Sequence, residues 1–281
     1  SLTPSQARPA EPHATNAPLA TPGGSRVLAY DKLANGPWEA AVNLPLPTTT
    51  TKELLKEAEA HLISVDPGLK KVIEKFPCRI FSPEGLAEAV EPWKNLASMI
   101  MAQQVSGAAA KSIKNKFISL FPSPDSSNES YFPHPSAVAA ANVEYLRTAG
   151  LSGRKAEYIQ GVAERFASGE LSARMLVHAT DEEVMKTLVA IRGLGKWSVE
   201  MFECFTLKRM DVFSTGDLGV QRGMAVWQGK DVNKLKGKSG KWKYMSEEDM
   251  LEHSAKFAPY RSLFMWYMWK MEDVNIDAIA T

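Results

Sequence analysis

From residue 52 to the C-terminus, apolar side chains recur every three or four positions and almost nowhere alternate. That period is the turn of an α-helix, not the two-residue repeat of a strand. A chain patterned this way must bury helix faces against one another, so the expected fold class is all-α. Helices are predicted over 52–63, 69–76, 92–101, 106–121, 136–146, 153–167, 180–190, 195–207, 217–227, 246–257 and 259–271. Thr180 followed by Glu183 reads as a capping box, and Ser246 with Asp249 as a second capping pair. Residues 1–51 break the pattern. They are rich in Pro, Ala, Thr and Gly and have little to bury, which predicts a flexible N-terminal arm, or one that docks in extended form. The organisation is therefore an arm over 1–51 and a helical domain over 52–281.

Hydrophobic residues make up 44% of the 281, enough for a sizeable core. No run of about 18 apolar residues occurs, so no membrane partner is expected. Two cysteines, Cys78 and Cys204, are too few for a disulfide framework or a four-thiolate cluster, and the five histidines are scattered without zinc spacing. A net charge of +1 means that any surface for a polyanion must be local. One local candidate is the insertion over 228–245, where Lys230, Lys234, Lys236, Lys238, Lys241 and Lys243 face only Asp231. Its readings are a track for phosphates, a nuclear-import signal, or a solvated loop.

The most informative stretch is 188–199. A capped helix runs into Gly193-Leu194-Gly195, and Lys196 and Trp197 begin the next helix at once. Two glycines in such a turn permit positive φ and the close approach of another backbone. Amides at the start of the second helix attract an anion, and Lys196 adds charge beside them. One DNA phosphate suits this geometry, held without sequence preference. A bare Gly-x-Gly between helices is more often an ordinary turn. Twenty-two residues beyond Gly195 stands Asp217, opening another helix, where a carboxylate also serves as a cap.

This order of hairpin, apolar helix, short loop and Asp217 resembles the helix-hairpin-helix (HhH-GPD) DNA glycosylase superfamily. Gln103-Gln104-Val105-Ser106 and the closing Ala258-Pro259-Tyr260-Arg261-Ser262 run before Trp266 and Trp269 resemble its 3-methyladenine branch. The resemblance implies a two-lobed helical fold with its active-site cleft between the lobes. It implies a DNA repair enzyme that flips and excises alkylated purines from double-stranded DNA, initiating base excision repair. The alternative is a non-catalytic DNA-binding module that keeps only the hairpin.

The resemblance also assigns roles. Asp217 is the catalytic carboxylate that stabilises positive charge building on the sugar. Trp197, Met201, Leu218 and Trp269 line the base pocket, with Met201 and Leu218 standing where relatives can carry aromatics. Gln103, Gln104, Val105 and Ser106 enter the DNA stack, and Gln103 and Gln104 can equally satisfy backbone groups at a helix break. Gly193, Leu194, Gly195 and Lys196 bind the phosphate. The carbonyls of Val189, Ile191 and Leu194 hold a monovalent cation, Na+ or K+, and catalysis needs no cofactor. Relatives that also cut the strand carry a nucleophilic Lys where this chain has Trp197, so water is the expected nucleophile and no β-lyase activity is expected. Thr215-Gly216 replaces the Pro often found before the Asp. A monomer located in the nucleus completes the expectation.

Overall fold

The computed structural model describes residues 7–30, 45–123, 131–237 and 240–272. Four strands of two residues each come first: β1 (Pro9–Ala10), β2 (Leu19–Ala20), β3 (Arg26–Val27) and β4 (Thr49–Thr50). The helices follow as α1 (Leu54–Val65), α2 (Lys70–Lys75), α3 (Pro83–Ala87), α4 (Pro92–Ala102), α5 (Gly107–Ser119), α6 (Pro135–Ala140), α7 (Val143–Arg147) and α8 (Gly153–Ser168). The chain continues through α9 (Ala173–His178), α10 (Asp181–Val189), α11 (Lys196–Phe205), α12 (Leu218–Trp227), α13 (Val232–Lys236), α14 (Glu247–Ala255) and α15 (Arg261–Glu272). The fold is all-α, and no helix among the described residues is long and apolar enough to cross a membrane.

The described residues divide into two compact units. One takes residues 7–16, 45–88 and 203–272, and the other takes 17–30 and 89–202. In the first, α12 packs along α15, and a Cβ on Gly223 would stand 1.9 Å from the Met268 carbonyl, so only glycine lets the helices close this far. Trp227 is ringed by His253, Phe257 and Phe264 at 5.9, 5.8 and 5.3 Å, and its indole N–H donates to Asp66 at 2.6 Å. Tyr267 is fully buried and donates its hydroxyl to Glu59 at 3.1 Å. Burial pushes the Glu59 carboxyl above its ordinary range, which the tyrosine bond partly offsets.

In the second unit α4 and α6 pack on α8. Trp93 is fully buried, donates to the Pro133 carbonyl at 2.8 Å, and lies 5.9 Å from Phe132 and 6.1 Å from Phe166. The single helix predicted over 136–146 is two. Asn142, at ψ 154°, turns its side chain onto the Tyr145 amide at 2.7 Å and caps α7 instead of continuing α6. The carbonyls of Ala139 and Ala141, released at that break, accept from Gln160 at 3.3 and 2.5 Å. The capping box of Thr180 and Glu183 forms as expected, and Ser246 accepts the Asp249 amide at 3.1 Å.

The arm departs from the flexible expectation over its described residues, which are docked in extended form. In the first unit β1 pairs antiparallel with β4, and Asn16, 2% exposed, donates to the carbonyls of Glu11, Ala14 and Lys208. In the second, Leu19 is fully buried and β2 pairs with β3, while Ala20 and Pro18 exchange hydrogen bonds with Val90. Small side chains and long-range backbone bonds hold the arm where apolar bulk is scarce. Residues 1–6 and 31–44 of the arm lie outside the described residues.

Candidate functional site

The hairpin belongs to the second unit. Leu188 accepts from Ile191, Ile191 accepts from Leu194, and Gly195 accepts from Val199, so the turn leads straight into α11. The two glycines differ. Gly193 has φ 93°, and a Cβ there would stand 2.2 Å from the Tyr158 ring. Gly195 has no positive φ, and a Cβ there would meet nothing within 4 Å. The positive-φ expectation therefore fails for Gly195, which faces open space instead of neighbouring structure. Lys196 is exposed, with its ammonium 3.8 Å from Glu200 one turn on.

Two side chains from α8 support both loops predicted to touch DNA. Tyr158 fills the hollow over Gly193, with the Arg192 guanidinium 6.0 Å from its ring. Lys155 donates to the carbonyls of Met101 and Gln103, at 2.9 and 2.5 Å, at the end of α4. Helix-end carbonyls carry partial negative charge and lack intrahelical partners, so an ammonium there is well placed. Gln103 itself donates to the Gly193 carbonyl at 2.8 Å and ties the loop to the hairpin. Its side chain is thus occupied by backbone, as the second sequence reading allowed. Gln104 is exposed and held at φ 55°, and Val105 is 38% exposed. Ser106 caps α5 through the Ala109 amide at 3.3 Å.

The first unit carries Asp217, Leu218 and Trp269. Asp217 caps α12, its Oδ1 accepting the Val220 amide at 2.8 Å. The same oxygen accepts the Trp269 indole N–H at 2.8 Å. Gly219 makes this possible, because a Cβ there would stand 2.7 Å from the Trp269 ring. Phe205 stacks on that indole at 5.5 Å and 20°. Trp269 therefore holds Asp217, a role the sequence did not reveal. Leu218, next along, is 47% exposed.

The loop that delivers Asp217 is clamped along its length. Asp211 takes a bidentate ion pair from Arg261, at 2.7 and 2.8 Å. Ser262 accepts the Val212 amide at 2.9 Å and donates to the Arg209 carbonyl at 2.7 Å. Thr215 donates its hydroxyl to Glu247 at 2.8 Å and receives the Gln221 amide on its carbonyl at 2.9 Å. The Arg261-Ser262 pair, noticed in the sequence only as part of a run, fixes one end of this loop, and Thr215, held by Glu247 and Gln221, fixes the other. Burial pushes the thiols of Cys78 and Cys204 up to about 11 and about 12, so neither is a nucleophile at neutral pH.

Trp197 and Met201 lie on the α11 turns of the second unit, Trp197 48% exposed and Met201 buried. Of seven large apolar side chains exposed among the described residues, four are predicted site residues: Val105, Val189, Trp197 and Leu218. A core has no use for them where they stand.

A family model described as HhH-GPD superfamily base excision DNA repair protein matches residues 97–241, just over half of the chain. The chain belongs to this superfamily. The HhH-GPD match takes in the hairpin, α11, Asp217 and α12. A DNA-3-methyladenine glycosylase of Saccharomyces cerevisiae is 32% identical over 81% of this chain and 83% of its own. A DNA-3-methyladenine glycosidase structure from Bacillus halodurans superposes with TM-score 0.58 at 31% identity, covering 76% of this chain and 88% of that one. A 3-methyladenine DNA glycosylase of Schizosaccharomyces pombe in complex with abasic DNA gives TM-score 0.58 at 28% identity, covering 78% and 98%. The HhH-GPD chain is thus a base excision repair DNA glycosylase.

Proposed function

We propose that this glycosylase removes alkylated purines such as 3-methyladenine from double-stranded DNA by hydrolysis, with Asp217 as the catalytic carboxylate and without β-lyase activity. The observation that carries the reading is the double hold on Asp217 Oδ1 by Val220 and Trp269. A carboxylate fixed this way needs little reorganisation as charge develops. The C1′–N bond breaks, its electron pair leaves with the base, and water adds to C1′, losing its proton to Asp217 or to solvent. An alkylated purine is already cationic, so it departs without a general acid and stacks on exposed aromatic faces such as Trp197. Lys196 lies along its own helix beside Glu200, which supports water as nucleophile over a Schiff base.

Gly195, Leu194 and Lys196 would hold a phosphate, and Gln104 and Val105 would enter the stack beside the flipped nucleotide. The carbonyls of Val189, Ile191 and Leu194 would hold Na+ or K+. Neutral carbonyls suit such an ion, and Ile191, although it accepts from Leu194 at 3.1 Å, keeps a second lone pair. The protein acts as a monomer in the nucleus. The test is base release from alkylated duplex, wild type against Asp217→Asn, with and without alkali afterwards. Release by wild type, loss in the variant and strand breaks only after alkali are expected. Salt-dependent binding without release would leave a non-catalytic DNA-binding module.

A further inference from the structure

The Lys-rich insertion does not hang from the far end of the catalytic helix. Its described residues leave α12 after Trp227 and form α13, and those from 240 onward come back against α12, while Lys238 and Ser239 lie outside the described residues. Two contacts fix the return. Tyr244, 2% exposed, meets Arg222 with its hydroxyl 3.4 Å from Nε and its ring 5.5 Å from the guanidinium. Just beyond, Glu247 accepts from Thr215, two residues before Asp217. Arg222 is five residues into the helix from its cap, about 7.5 Å along the axis at about 1.5 Å per residue. Tyr244 therefore lies beside the half of α12 that begins at Asp217, with Lys241 and Lys243 one to three residues before it in the chain.

Cations gather there on aromatic faces. The Lys243 ammonium is 5.2 Å from the Tyr244 ring and donates to the Lys236 carbonyl at 3.2 Å. The Lys241 ammonium lies 4.5 Å over Trp242 and is exposed. Lys230, Lys234 and Lys236 are exposed on the outgoing limb. The acids nearby are Asp231, 3.7 Å from Lys234, and the first turn of α14, Glu247, Glu248 and Asp249. The whole chain carries only +1, so this concentration is local and not a general excess of base.

We infer that Arg222, Lys241 and Lys243 form a phosphate-binding edge for the duplex flanking the excised base. The inference rests on the reading that Asp217 faces the target sugar. It adds a second, sequence-independent grip to that of the hairpin.

The probe is a duplex containing a tetrahydrofuran abasic analogue, which is bound but not cleaved. Its affinity for the full chain is measured by fluorescence anisotropy across a series of KCl concentrations. Neutralising two phosphate contacts in Lys241→Gln/Lys243→Gln is expected to flatten the slope of log affinity against log salt by about 1.8, at about 0.9 per phosphate. Lys241→Arg/Lys243→Arg should keep the wild-type slope, which separates lost charge from a disturbed fold. Lys56→Gln/Lys70→Gln, on α1 and α2, should also keep it. A wild-type slope in the Gln variant overturns the inference, as does equal flattening in the α1/α2 control, and loss of nuclear accumulation with an unchanged slope points to an import role instead. Because the probe needs no turnover, Asp217→Asn that retained base release would sink the catalytic assignment while leaving the slope readable on its own.

Discussion

The Trp269 indole N–H and the Val220 amide converge on one oxygen of Asp217, each at 2.8 Å. Asn can cap a helix as well as Asp, so Asp217→Asn should cost well under about 1 kcal/mol of stability. Base release should nevertheless fall about 100- to 1000-fold, as when a preorganised electrostatic group is lost. Trp269→Phe keeps the ring against Phe205 but removes the donor. A hydrogen bond to a charged group is worth about 1.5 kcal/mol or more, so release should fall about tenfold in single-turnover assays. A Trp269→Phe variant with wild-type turnover would show that the indole only fills space.

The two hairpin glycines should separate fold from binding. Gly193→Ala places a methyl 2.2 Å from the Tyr158 ring at φ 93°, and thermal melting should show a loss of about 2–3 kcal/mol. Gly195→Ala meets nothing within 4 Å and should melt like wild type. Its duplex affinity should still drop about tenfold, because the methyl stands in the space where a phosphate would approach. Unchanged affinity in Gly195→Ala would argue against the hairpin as a phosphate site.

Lys155→Met removes the donor shared by the Met101 and Gln103 carbonyls. Leaving part-buried carbonyls without it should cost about 1–3 kcal/mol, read from urea titration. The Gln103–Ser106 loop should also loosen, raising amide exchange there before exchange rises elsewhere. Uniform exchange across the unit would mean that Lys155 supports the core and not the loop.

Glu59 titrates in a direction that can be tested. Burial raises its folded-state pKa above the unfolded value, so between those two values the native state binds more protons than the unfolded one. Its contribution to stability is full below the unfolded pKa and is lost as pH rises through the folded one. Glu59→Gln still accepts from Tyr267 and carries no charge. Its melting temperature relative to wild type should therefore be higher at pH 7 than at pH 4. An equal difference at both values would place the shift elsewhere.

Much of the helical frame could be read from local pattern, because caps and apolar periods are short-range features. Thr180 with Glu183, Asp217 at the start of α12, and the hairpin all follow from neighbours within a few residues. What escaped was set at long range. Nothing near Asn16 indicates that it will bond the carbonyl of Lys208, 192 positions away. Nothing near Trp269 marks its N–H for Asp217, 52 positions away, or distinguishes Gly193 from Gly195 before Tyr158 is in place. Lys155 is an ordinary third residue of a helix until α4 ends beside it. The helices α3, α9 and α13 were missed because five or six residues give too few turns for a period to show.

The way the two units share the chain has a consequence for synthesis. The second unit has all its described residues once 202 has left the ribosome. The first holds residues 7–16 and 45–88, yet its remaining part, α12 and α15 included, comes after residue 202. The nascent chain thus carries the hairpin in a unit able to close early, while the apolar faces of α1 and α2 wait for α15 to emerge. That interval is when the newborn protein is most open to aggregation and to proteases, and chaperone dependence should concentrate there.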